Sequence, residues 1–170
     1  MKKILQSIGI VFFIGLIISL NSCSKDSTIL NLPSMKATVD GAEWTSIFRL
    51  SVLNQNQSPA NIVITGTPTL SQTADKTIIL TIKGTDAGTY TLGLGSATAQ
   101  CLVVYKKTSD AAANSGNYFT STEATITISK LDKEKKQMSG TFSAKLYAIG
   151  VATPVVITNG IFENLNYQLN

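Results

Sequence analysis

From residue 35 onward, apolar and polar side chains alternate in short runs with no helical stretch of useful length, and this period of two confines the chain to β-strands. In residues 123–130, Ala124, Ile126 and Ile128 share one face while Thr125, Thr127 and Ser129 share the other. That is an antiparallel strand with one side buried and one side wet. After a charged turn at residues 132–136, Met138, Phe142, Ala144 and Leu146 fall together, opposite Ser139, Thr141, Ser143 and Lys145. The two runs are expected to pair as a hairpin with Phe142 in the core.

The same reading gives strands at residues 36–39, 44–52, 61–66, 76–83, 89–92, 100–106, 155–158 and 161–169. Asp40-Gly41 is a turn between the first two. Asn159-Gly160 is either a two-residue hairpin or a glycine bulge inside one long final strand, and we take the bulge. Residues 109–116, with three alanines, are too short for a stable helix and are read as loop. About ten short strands in one domain define an all-β fold, a single antiparallel sandwich with a flattened barrel as the alternative. In the run 44–52, parity groups Trp44 with Phe48, Leu50 and Val52 on the more apolar face. Trp44 is therefore expected in the core. Arg49, the only arginine, shares the opposite face with Thr45, a solvated position from which it can meet a carboxylate or a ligand.

Residues 1–23 follow another rule. Lys2 and Lys3 precede an apolar run at residues 8–20, well short of the roughly 20 residues a membrane-spanning helix needs. It reads as an export signal. Leu20-Asn21-Ser22-Cys23 resembles the lipobox of bacterial lipoproteins, which implies cleavage before Cys23 and lipid on that residue. The expected organisation is a signal at residues 1–22, a lipidated cysteine and tether at 23–34, and an all-β domain at 35–170. Extended, the tether reaches about 35–40 Å from the lipid surface.

Charge and composition narrow the functions. The signal carries two lysines and no acid, so its removal lowers the net charge of +4 by two. Lys106-Lys107 and the cluster Lys130, Lys133, Lys135 and Lys136, diluted by Asp132 and Glu134, make no basic stripe joined to aromatic or groove-reading elements. A nucleic-acid partner is not expected. The chain has no histidine, which removes the commonest proton shuttle and metal ligand. With Cys23 lipidated, Cys101 has no intramolecular partner and reads as a small buried hydrophobe at the head of an apolar strand. The carboxylate pairs Asp40 with Glu43 and Asp86 with Glu123 are the ones that could serve a two-carboxylate glycosidase. Turn and strand chemistry account for Asp40 and Glu43 without catalysis. No acid-rich loop of the calcium-binding kind occurs. We expect no enzyme activity, no cofactor and no metal.

The exported part resembles an uncharacterised all-β lipoprotein domain family common in Bacteroidota. The residues that carry the resemblance are Met35-Lys36-Ala37-Thr38-Val39-Asp40-Gly41-Ala42-Glu43-Trp44, Gly88-Thr89-Tyr90-Thr91-Leu92-Gly93, Ile126-Thr127-Ile128-Ser129-Lys130-Leu131-Asp132, Ser139-Gly140-Thr141-Phe142-Ser143 and Val156-Ile157-Thr158-Asn159-Gly160-Ile161-Phe162. The resemblance implies no catalytic or binding residue. Within that group Ser24-Lys25-Asp26 is a partial match to a surface-display signal, and Asp26-Ser27-Thr28 resembles an O-glycosylation acceptor at Ser27. The resulting expectation is a monomeric domain, lipid-anchored at the outer membrane on its periplasmic face or at the cell surface. It is read as a non-catalytic binding or interaction module with recognition on loops 54–59, 67–74 and 109–117. The alternative is a barrel-type carrier of a small apolar ligand, which needs an open interior.

Overall fold

The computed structural model describes residues 32–70, 75–93, 99–108 and 115–170. Eleven strands follow one another: β1 Ser34–Val39, β2 Ala42–Thr45, β3 Phe48–Asn54, β4 Asn61–Thr67, β5 Thr77–Lys83, β6 Gly88–Leu92, β7 Cys101–Lys106, β8 Tyr118–Asp132, β9 Gln137–Tyr147, β10 Val155–Asn166 and β11 Gln168–Leu169. A 3-10 turn, Ser115–Asn117, precedes β8 and closes the region read as loop, whose residues 109–114 lie outside the described residues. All strands belong to one sheet in the order β11-β3-β4-β5-β7-β8-β9-β10-β1-β2, with β6 beside β8. Among the described residues, only the pairing of β11 with β3 is parallel. The fold is all-β, as the alternation requires.

Local chemistry explains the connections. Asp40 and Gly41 have φ of 49° and 80° and join Val39 to Ala42 across a two-residue turn. Two positive φ values match the right-handed twist of the flanking strands. The hairpin of β8 and β9 forms with Ile126 opposite Phe142 and Ala124 opposite Ala144, so the apolar residues of both strands share one face. At Asn159-Gly160 the chain makes a bulge: β10 runs through it, the register against β9 shifts between Ile157 and Gly160, and Asn159 takes φ 51°. The final strand is not continuous to residue 169. It ends at Asn166, and β11 forms after Tyr167 along a different partner.

The run read as one strand at residues 44–52 is two strands, β2 and β3, separated by a corner at Ser46 and Ile47. The corner is fixed by two consecutive amides that serve opposite ends of the sheet path. Ser46 N–H donates to Met35 O at 2.9 Å, and Ile47 N–H donates to Thr67 O at 2.8 Å. Since β2 ends the path and β3 stands next to its other end, a connection this short forces the sheet to curl. A second tie is the C-terminus, where Gln55 N–H donates to Asn170 O and Asn170 N–H to Leu53 O, both at 3.0 Å. The result is a half-barrel whose facing walls share one core, the feature that the sandwich and flattened-barrel readings have in common.

The corner also reverses parity. Trp44 is buried on β2 as expected, but on β3 the inward set is Ser51 and Leu53, with Asn54 buried at the strand's end. Phe48, Leu50 and Val52 are half-buried on the other side of that strand. Arg49 thus carries the parity of the buried set instead of the solvated face. Its Nη1 donates to Ser46 O, which closes the corner.

Among the described residues the interior is filled. Met35, Ile62, Ile64, Ile78, Leu80, Ile82, Val103, Ile126, Met138, Leu146 and Phe162 expose 0% of their surface. A void that admits water would leave part of such surfaces accessible. Close approaches support this: a Cβ added at Gly66 would sit 2.6 Å from Met35 Sδ and 2.8 Å from Trp44 Cη2. Phe142 and Phe162 lie with ring centroids 6.5 Å apart, within the range at which aromatic pairs attract.

Candidate functional site

Cys23 and Ser27, with residues 1–31 generally, lie outside the described residues. Within the domain, Asp40 and Glu43 belong to one hairpin, that of β1 and β2, while Asp86 and Glu123 lie elsewhere on the sheet. Asp40 stands in the turn after β1, and its Oδ1 accepts a hydrogen bond from Val156 N–H at 2.8 Å. That bond ties the turn to β10. Glu43 lies on β2 opposite Thr38, with its side chain exposed. Asp86 precedes β6 and pairs with Lys133 Nζ at 3.2 Å, an exposed contact. Glu123 lies on β8 one residue beyond the Leu92–Ala124 pair, whereas Asp86 sits beyond the Gly88–Ile128 pair. Five residues of strand separate Glu123 from Ile128, about 16 Å at the usual rise of roughly 3.3 Å per residue. Glycosidase carboxylates stand about 5 to 9.5 Å apart, so strand geometry keeps Asp86 and Glu123 from acting as that pair.

The other residues singled out are absorbed by structure. Trp44 Nε1 donates to Lys76 O at 2.7 Å, so the buried indole is both packed and satisfied. Phe142 is 3% exposed. Cys101 is a free, buried thiol whose Sγ lies 3.4 Å from Tyr90 O. Burial pushes its pKa up, the reverse of what a nucleophilic thiol needs. In the charged turn, Lys135 N–H donates to Asp132 Oδ1 at 2.9 Å, and this bond holds the Asp132 carboxyl below its ordinary pKa. Among the described residues, no three acidic or cysteine side chains are grouped so as to hold a metal ion.

Of the three loops read as recognition surfaces, 71–74 and 109–114 are outside the described residues. The β3–β4 loop is held by an amide chain that the sequence did not reveal. Asn61 Nδ2 donates to Gln57 Oε1 at 2.6 Å, Asn54 Nδ2 to Asn61 Oδ1 at 2.8 Å, and Asn170 Nδ2 to Asn54 Oδ1 at 3.1 Å. Its partners are up to 116 residues apart in sequence, so no local pattern announces it.

Register also assembles a shallow open groove of about 270 Å³ on the outer face of β8, β9 and β10, lined by Glu123, Thr125, Ser143, Lys145, Val156 and Thr158 among others. Glu123 and Lys145 stand opposite each other in the ladder, and Lys145 Nζ also lies 5.7 Å from the centre of the Tyr147 ring. The groove offers one acid, one amine and several hydroxyls on a rigid floor, a surface suited to hydrogen bonding. Alternation in β8 and β9 predicts a polar outer face, but only the cross-strand register places these particular residues together.

A curled all-β domain with a filled core and dispersed ionisable groups is the class of protein defined here. The chain belongs to the family described as Domain of unknown function (DUF6252), whose family model matches residues 31–166. No curated protein and no solved structure gives a significant match.

Proposed function

We propose that this chain is an exported lipoprotein, held to a membrane by lipid on Cys23, whose all-β domain is a non-catalytic binding or interaction module. The anchoring half of the reading rests on the lipobox-like Leu20-Asn21-Ser22-Cys23 after a short apolar run. The setting implied by the resemblance is the outer membrane of a member of the Bacteroidota, on its periplasmic face or at the cell surface, with Ser27 as a glycan acceptor. The observation that carries the binding half is the filled core, because a domain whose described core side chains leave no accessible interior surface meets its partners on its outside. That same observation speaks against the apolar carrier. The carboxylates support a non-catalytic reading: Asp40, Asp86 and Asp132 are each engaged in a turn or a surface pair.

The test of the anchor is Cys23→Ser. Each buried methylene of an acyl chain contributes about 0.8 kcal/mol of membrane affinity, so the variant is expected to leave the membrane fraction as precursor or soluble protein. A variant that is processed and partitions as wild type overturns the lipoprotein reading. Proximity labelling on intact cells then identifies partners, and turnover of a glycan or ester library that disappears on removing Asp40, Glu43, Asp86 or Glu123 would overturn the non-catalytic one.

A further inference from the structure

The outer face of β3, β4, β5 and β7 departs from the alternation seen elsewhere. Leu50 and Val52 on β3, Val63 on β4, Ile79 on β5, and Leu102 and Val104 on β7 all point away from the core. Register makes them neighbours: Val52 is opposite Val63, Thr81 lies between Val63 and Leu102, and Ile79 is opposite Val104. Leu50, Val52, Val63, Ile79 and Val104 are half-buried, and Leu102 is 37% exposed. The same face carries Lys83 at one end of β5 and Lys106 at the opposite end of β7, the latter with Nζ 6.0 Å from the Tyr118 ring centre. Strand parity places no carboxylate on this face among the described residues.

An apolar field flanked by lysines, with no acid on its described strands, complements a surface that is apolar beneath and negative on top. A second copy would set Lys83 and Lys106 against the same charges, which disfavours a symmetric dimer. We infer that this face docks on the anionic lipid surface to which the protein is tethered, with the lysines at the phosphates and Leu102 and its neighbours at the level of the headgroups. The inference rests on the lipoprotein reading only for the nearness of a membrane. A tether that reaches about 35–40 Å lets any face of the domain touch lipid, and tethering raises the effective concentration to roughly millimolar, so weak intrinsic affinity is enough.

The experiment uses the unlipidated chain from residue 24 onward, which contains the compact unit Asn31–Asn170, sedimented with vesicles of phosphatidylethanolamine and phosphatidylglycerol or of phosphatidylcholine alone. Binding to the anionic vesicles, weakened by salt, is expected. Lys83→Glu combined with Lys106→Glu should lower it by about tenfold or more, since each basic residue near such a surface contributes about 1 kcal/mol. Leu102→Asp should lower it as well, while both variants keep the parent melting temperature. Absence of binding, equal binding to both vesicles, or variants that bind as the parent does would overturn the inference. So would self-association in analytical ultracentrifugation that Leu102→Asp abolishes, since it assigns the face to a second copy. Lipid on Cys23 plays no part in this assay, so its outcome is separate from that of Cys23→Ser.

Discussion

The two halves of the sheet follow different rules. In β8, β9 and β10, buried apolar residues alternate with exposed residues that are mostly threonine, serine, asparagine and charge, with Val156 and Ile161 as apolar exceptions on β10. In β5 and β7 the runs Ile78-Ile79-Leu80 and Leu102-Val103-Val104 are apolar on both faces. Alternation reports a strand with one wet side, whereas an uninterrupted apolar run reports one that keeps water at a distance on both. The first half is therefore a wall of the core with a largely polar exterior, and the second is a wall with apolar side chains on both surfaces, buried on the inner one and half-buried on the outer.

The comparison is broken most severely at Phe142, on the inner face of the alternating half. Phe142→Ala leaves a cavity against Phe162 and is expected to cost about 3–5 kcal/mol, a large share of the roughly 5–15 that holds a domain folded. Chemical denaturation measures it. On the outer face of the other half, Val104→Thr changes a half-buried residue and should stay within about 0.5 kcal/mol. A loss at Val104 that rivals the one at Phe142 would mean that the outer face is as closed to water as the core.

Glycines give the next effect. An added Cβ at Gly140 on β9 meets the Thr127 carbonyl oxygen and the Phe162 ring, while at Gly66 on β4 it meets the end of the Met35 side chain and the Trp44 ring. Overpacking costs about 1–3 kcal/mol in general. A thioether can swing aside and a strand carbonyl cannot, so Gly140→Ala should lower the melting temperature more than Gly66→Ala. The reverse order would show that the tighter packing lies around β4.

Legibility in the sequence divides along the same line. The hairpin of β8 and β9, the Asp40-Gly41 turn and the Asn159-Gly160 bulge were all readable, because alternation and turn residues are local signals. The corner at Ser46 and Ile47 was not. It exists because Met35 O and Thr67 O, on different strands, accept from neighbouring amides, and within residues 44–52 nothing marks the break. A single strand through residues 44–52 places Phe48, Leu50 and Val52 on the inner face and Arg49 on the outer one, and the corner inverts both assignments. The same holds for β11, whose parallel partner β3 lies over a hundred residues earlier, and for the groove at Glu123 and Lys145, which only register assembles.

Ser51 is a smaller contrast. It is buried on the inner face of β3, and among the described residues its Oγ has no hydrogen-bond partner. A buried hydroxyl without a partner costs about 1–3 kcal/mol, so Ser51→Ala should raise stability by roughly 1 kcal/mol. No equivalent gain is expected at Ser121 on β8, whose Oγ accepts from Val103 N–H at 2.9 Å. There, Ser121→Ala should destabilise.

The smallest effects appear only as slopes with pH, and the two halves should set opposite limits. Burial raises the pKa of Cys101 above its ordinary value of 9.0, and burial followed by the charges of Asp40 and Asp75 raises that of Tyr105 above 10.0. A raised pKa means that the folded state holds its proton more tightly than the unfolded chain, so the stability these groups contribute is present below those ordinary values and is lost as pH rises through them. Both groups lie on β7. Asp132, at the end of β8, has the opposite sign: the Lys135 amide lowers its pKa from 3.8, so its contribution is present above that value and is lost as pH falls. Melting temperature followed across pH should therefore fall on the alkaline side with a slope that Cys101→Ala reduces, and on the acid side with a slope that Asp132→Asn reduces. Using slopes removes any constant offset from the substitutions themselves. An alkaline slope unchanged in Cys101→Ala would show that the thiol ionises as readily in the folded domain as in the unfolded chain, and that β7 is wetter than its burial implies.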